Sequence, residues 1–117
     1  MQDHRNLLVW QKSMDLAGAC AAATASFPVE QEFRLTAQMQ RAAISVFSNI
    51  AEGSARDSRK EFARFLRIAK GSVRELEAQA THALGCDYGD QQAVAELAED
   101  AREVERMLNA LIRRVAP

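Results

Sequence analysis

From Arg56 to Leu84 the chain is sorted by side. At about 100° per residue, Arg56, Arg59, Lys60, Arg64, Arg67, Lys70 and Arg74 occupy an arc of roughly 140°. Phe62, Phe65, Leu66, Ile68, Ala69, Val73, Leu76, Ala80, Ala83 and Leu84 fill the opposite side. No β-type alternation competes with this pattern, so the segment reads as a helix that buries one face. Its other face meets something anionic: solvent counterions, the chain's own carboxylates or a polyanion.

The rest of the chain repeats the same logic. Only two prolines and five glycines occur in 117 residues, so long uninterrupted helices are allowed. Trp10, Met14, Ala17, Ala21 and Thr24 predict helix one over about 9–26, ended by Phe27-Pro28. Leu35, Met39, Ala42, Val46 and Ile50, widened by Ala43 and Phe47, predict helix two over about 32–52. Gly53 stands where a left-handed residue after the C-cap favours glycine. Ser58 with Glu61 forms a capping box that opens helix three, over about 58–84, and Gly85, Gly89 and Asp90 close it. Val94, Leu97, Ala101, Val104, Leu108, Leu111 and Val115 predict helix four over about 91–115, with the three-four alternation of a supercoiled contact. Short loops make consecutive helices antiparallel. The expected fold is all-α, a single up-down-up-down four-helix bundle. Gly71 lies mid-helix beside Ser72, where glycine costs about 1 kcal/mol against alanine. Packing against another helix, within or between subunits, is the favoured reason for it, over approach by a ligand.

A net charge of −1 conceals strong segregation. Residues 56–74 carry seven cations against Asp57 and Glu61, whereas residues 75–105 carry Arg102 against nine carboxylates. Such a balance argues against a dedicated nonspecific nucleic-acid binder, and it favours neutralisation of the basic face by an acidic neighbour. A restricted basic patch stays open. Cys20 and Cys86 stand 66 positions apart with no CxxC pair, which suits a reducing cytoplasm and supplies no zinc site. The run Leu7–Trp10 is too short for a signal peptide, and no stretch approaches the ~20 apolar residues of a membrane span. A soluble, cytoplasmic protein without membrane contact is expected.

Reactive chemistry is hard to assemble from these residues. A di-iron bundle needs inward carboxylates and two Glu-x-x-His pairs, but Gln79 precedes His82 at that spacing and His4 lies in the polar start of the chain. Cys20 has no histidine in its local sequence, and Ser45 and Ser48 lack the strand-to-helix elbow of a serine nucleophile. The glycines are scattered, so no phosphate loop forms. No cofactor, no metal and no catalytic residue is expected. Helix three is also too long for a helix-turn-helix reader, and Phe62 and Phe65 are placed on the side away from the cations, which disfavours base stacking. Any nucleic acid held there would be gripped by its phosphates.

Several segments carry a resemblance. Leu8-Val9-Trp10-Gln11-Lys12-Ser13-Met14-Asp15-Leu16, Phe27-Pro28 and Leu35-Thr36-Ala37-Gln38-Met39 begin it. Its strongest piece is Arg41-Ala42-Ala43-Ile44-Ser45-Val46-Phe47-Ser48-Asn49-Ile50-Ala51-Glu52-Gly53. Lys60-Glu61-Phe62, Phe65-Leu66, Ile68-Ala69, Gly71-Ser72 and Glu75-Leu76-Glu77 continue it. The chain resembles, over about residues 7–115, the bacterial four-helix proteins named after intervening sequences of 23S rRNA genes, also labelled S23 ribosomal proteins. It departs from them at Phe47, where many members carry proline. The resemblance implies a homopentameric ring with a central channel and no settled activity. Similar proteins act as accessory factors of diversity-generating retroelements, where they associate with a reverse transcriptase and nucleic acid.

Ser45, Ser48, Asn49, Glu52 and Gly53, with Gly71, Ser72 and Glu75 across the bundle, read as a structural or assembly motif rather than a ligand site. The expected function is a non-enzymatic homo-oligomeric scaffold whose partners are its own copies, with the basic face of helix three as the candidate surface for RNA or DNA phosphates. The alternative is a protein-partner adaptor, for example to a reverse transcriptase, that does not touch nucleic acid.

Overall fold

Ser58 sets the longest helix. Its extended backbone (φ −120°, ψ 148°) and its hydroxyl, which accepts the Glu61 N–H at 3.1 Å, start α3 at Arg59–Gly85 in the computed structural model, which describes residues 3–117. Only that half of the capping box forms, because the Glu61 carboxylate turns to Arg64 instead. At the far end the chain closes with a Schellman turn. Asp87 takes the left-handed conformation (φ 56°), while its N–H and that of Tyr88 donate to the Leu84 and Ala83 carbonyls. Gly89 (φ 68°) follows, packed so tightly on Phe27 that a Cβ there would sit 2.8 Å from that ring. Asp90 then caps α4 (Gln91–Val115) through the Gln92 and Ala93 N–H groups.

The other two helices are α1 (Leu8–Thr24) and α2 (Ala37–Ser54). Each of α1 and α3 packs against both α2 and α4. The 43 Å long axis matches the ~40 Å expected of 27 helical residues. Leu16, Met39, Ile50, Leu66, Leu76, Leu97 and Leu108 fill the shared core with alanines between them.

Three readings of the sequence change here. Helix one is rotated: Val9, Ser13, Leu16, Cys20 and Ala23 are buried with Thr24, while Met14 and Ala21 face solvent. Ser13 and Thr24 donate to the Trp10 and Cys20 carbonyls, so their hydroxyls enter the core already satisfied. The stretch before α2 is a 3-10 turn (Val29–Gln31) and a wide turn (Glu32–Thr36) broken at Arg34, not a helix from residue 32. Val29 and Phe33 fall off the α2 stripe and stay 75% and 88% exposed, so burial holds no regular helix there. Finally, Gly53 does not end its helix in a left-handed turn. α2 runs through it, and a Cβ there would lie 2.6 Å from Phe65 Cβ and 3.1 Å from Phe62 Cδ1. Glycine is present so that α2 and α3 can approach.

Candidate nucleic-acid interface

The close approach at Gly53 fixes Phe65, and Phe65 organises the cations around it. Arg56 is not on α3; it lies in the preceding loop, from which its guanidinium reaches over the Phe65 ring at 4.8 Å. Arg64, one helical turn past Lys60, covers the same ring at 4.6 Å. Phe65 is thus half-buried beneath two arginines, which corrects the expectation that it points away from the basic face. Each guanidinium is also held by a carboxylate. Glu52 accepts from Arg56 at 2.6 Å, and Glu61 accepts from Arg64 at 3.0 and 3.1 Å. The Arg64 hydrogen bonds lower the Glu61 pKa and Glu61 raises that of Arg64. Both groups are solvent-exposed, so the pairs orient more than they stabilise.

The remaining cations differ in what they do. Arg59 donates to the Val115 and Arg114 carbonyls, both at 2.9 Å, and so caps the C-terminus of α4 where a cation meets the negative end of the helix. Arg74 is 3.9 Å from Glu105. Lys60, Arg67 and Lys70 have no ion pair among the described residues. The expected neutralisation by the acidic α4 therefore reaches one residue of the arc, Arg74; Arg102, on α4 itself, pairs with Glu77 and Glu99. Lys60 and Arg67, with Glu61, Arg64 and Ile68, border an open depression of ≈ 460 Å³.

The motif residues split in the same way. Ser45 and Ser72 join α2 to α3 through a 2.8 Å hydroxyl contact, and Asn49 Nδ2 donates to the Ser45 carbonyl (2.8 Å) and hydroxyl (3.0 Å). Glu75, bonded to Gln79 at 3.0 Å, lines a second open hollow of ≈ 330 Å³ with Gln38, Arg41, Ala42, Ser45 and Ser72. Ser48 points outward, next to α2's exposed Ile44. Gly71 is exposed, and a Cβ there would meet nothing within 4 Å, so it serves no packing contact inside this chain.

Sequence reasoning missed two features. Arg41 and Gln38 join the motif hollow, which their i, i+4 and i, i+7 spacing to Ser45 could have shown. His82 Nε2 also lies 3.7 Å from the exposed Cys86 Sγ, again an i, i+4 pair. Cys20 is buried, which pushes its thiol up to about 11. Among the described residues, no three His, Cys, Asp or Glu side chains converge as metal ligands, and no helix is long and apolar enough to cross a membrane.

A family model described as 23S rRNA-intervening sequence protein matches residues 5–110. The chain belongs to that family. No curated protein matches it. A solved member of the S23 ribosomal protein family from Bacteroides thetaiotaomicron, itself of unknown function, superposes with a TM-score of 0.82. The two are 24% identical over 90% of this chain and 98% of the other, a likeness that establishes the shared four-helix fold. For this 23S rRNA-intervening sequence family member, function has to be argued from its own surface.

Proposed function

We propose that the protein is a non-enzymatic scaffold, an up-down-up-down bundle assembled as a homopentameric ring, that holds RNA or DNA phosphates on the basic side of α3. The observation that carries the binding half is that Lys60, Arg67 and Lys70 form no ion pair among the described residues. A cation whose partner is water and counterions gains by exchanging them for phosphate, because the counterions are released. Arg59 stands outside this set, since its fork is spent on the α4 carbonyls.

Self-association is supported by what α2 and α3 leave uncovered. Ile44 and Ile68 remain 51% and 41% exposed, and Gly71 offers an open stretch of helix where another backbone can come close. Several copies would repeat the basic patch and multiply a weak contact into avidity.

Light scattering tests the assembly: a mass near five times 13.0 kDa is expected, and a monomer would contradict it. A mobility-shift series with RNA and DNA tests the binding. Retardation at ~50 mM salt that fades as salt rises is expected, and no retardation would remove the phosphate reading. A second reading rests on Phe33 and Val29, two exposed apolar side chains suited to anchoring a partner protein. As an adaptor, for example to a reverse transcriptase, the protein would bring down that partner after nuclease treatment.

A further inference from the structure

We propose that the Arg56–Phe65–Arg64 cluster is a stacking platform for nucleobases, so that the surface takes single-stranded rather than duplex nucleic acid. This rests on the phosphate reading above and deepens it by naming the class of strand.

Both guanidinium carbons lie within 5 Å of one phenyl ring, at 4.8 and 4.6 Å. One Nη of Arg56 is held by Glu52 at 2.6 Å, and the Nε–Nη edge of Arg64, where a phosphate would bind, is taken by Glu61 at 3.0 and 3.1 Å. Two carboxylates against two guanidiniums also cancel the local charge. What these arginines still offer is flat surface, since their side chains remain 43% and 56% exposed. A guanidinium plane stacks on a base as readily as on the phenyl ring it already covers.

The platform is rigid from below. Phe65 is pressed against Gly53 of α2, so tightly that a Cβ at Gly53 would sit 2.6 Å from that of Phe65. Rigidity matters because stacking on a preset plane costs little ordering. Beside it lies the depression bordered by Lys60, Arg67 and the exposed Ile68. One edge of the surface thus supplies free cations for phosphates, and the other supplies planes for bases. A duplex hides its base faces within its own stack and could use only the first; a single strand uses both.

The test is a fluorescence-anisotropy comparison at ~50 mM salt of four ligands with equal numbers of phosphates: oligo(dT), oligo(rU), a DNA duplex and an abasic strand. Oligo(dT) and oligo(rU) are expected to bind alike, because no contact to the sugar is invoked, and each roughly 5- to 100-fold tighter than the abasic strand or the duplex; a duplex bound as tightly as oligo(dT) would overturn the platform. Changing Arg56→Lys together with Arg64→Lys keeps both charges but removes both planes. That variant is expected to bind oligo(dT) only as well as the abasic strand, with an unchanged circular-dichroism spectrum and melting temperature reporting an intact fold. Equal binding of oligo(dT) and the abasic strand would overturn the platform while leaving phosphate binding in place. Unchanged oligo(dT) affinity in the double variant would overturn it as well. Binding of none of the four would remove both proposals.

Discussion

The two halves of α3 share a core face and differ in everything they show to water. From Arg59 to Arg74 the helix carries six cations against Glu61, and from Glu75 to Gly85 it carries Glu75 and Glu77 with no Lys or Arg. Beneath this, Phe62, Leu66, Ala69 and Val73 continue into Leu76, Ala80 and Ala83 with no change of character. The acidic half meets Arg102 of α4 through Glu77, whereas in the basic half Lys60, Arg67 and Lys70 have no ion pair among the described residues. One helix therefore carries two independent messages. Its buried stripe specifies how it packs, and its charge divides the outer face into a basic half and an acidic half.

If the core message is uniform, it should break equally in both halves. Leu66→Ala and Leu76→Ala remove fully buried side chains, and each is expected to cost about 2–5 kcal/mol in urea unfolding. A loss confined to one substitution would show that the halves are not equivalent inside either.

A smaller effect separates two glycines near the basic half. Gly53→Ala forces a methyl group onto Phe65 and Phe62, and a loss of about 1–3 kcal/mol is expected despite alanine's better helix propensity. Gly71→Ala meets open space and should gain about 1 kcal/mol of helix stability. If Gly71→Ala also lowers the mass seen by light scattering, Gly71 lies between subunits, as the proposed self-association implies. Equal effects at the two positions would refute the close α2–α3 approach.

The smallest effect belongs to the acidic side. Burial raises the Asp100 pKa, Glu96 and Glu99 add to this, and Lys12 opposes it. A raised folded pKa means that the folded state holds the proton more tightly than the unfolded one. Stability from this group is therefore fully present below the ordinary aspartate value of 3.8 and is lost as pH rises through the raised folded value. Asp100 is exposed and its charge is screened by solvent, so Asp100→Asn should stabilise the protein only slightly at pH 7, and the advantage should vanish at low pH. An advantage independent of pH, read from paired thermal melts, would assign the effect to packing instead.

How much of this was legible depended on how sharply each helix is divided. α4 buries Val94, Leu97, Ala101, Val104, Leu108 and Leu111 as the three-four spacing requires, because leucine and valine alternate there with charged residues. On α1 the contrast is too weak. Alanine fits either face, and Ser13 and Thr24 hide their hydroxyls on their own backbone, so the stripe could be drawn a third of a turn away. The seven cations were legible as a set but not as individuals. Spacing along one helix cannot show that Arg59 finds the end of α4, or that Arg56 leaves the helix and folds over Phe65. Those facts depend on loops and on neighbouring elements. Family membership was legible in the Ser45–Gly53 stretch, whose Ser45, held by Asn49, ties α2 to Ser72 on α3. Gly53 was noticed for the wrong reason: a sequence shows that a glycine is present, but not whether a turn or a neighbouring helix requires it.

The central claim is that the unpaired cations of the basic half, and not charge in general, hold phosphate. The most direct measurement is the salt dependence of oligo(dT) affinity for the native chain and for Lys60→Gln, Arg67→Gln, Lys70→Gln combined. Removing three phosphate contacts should flatten the slope of log K against log salt by about 2 for each bound copy. An unchanged slope in that variant would contradict the account.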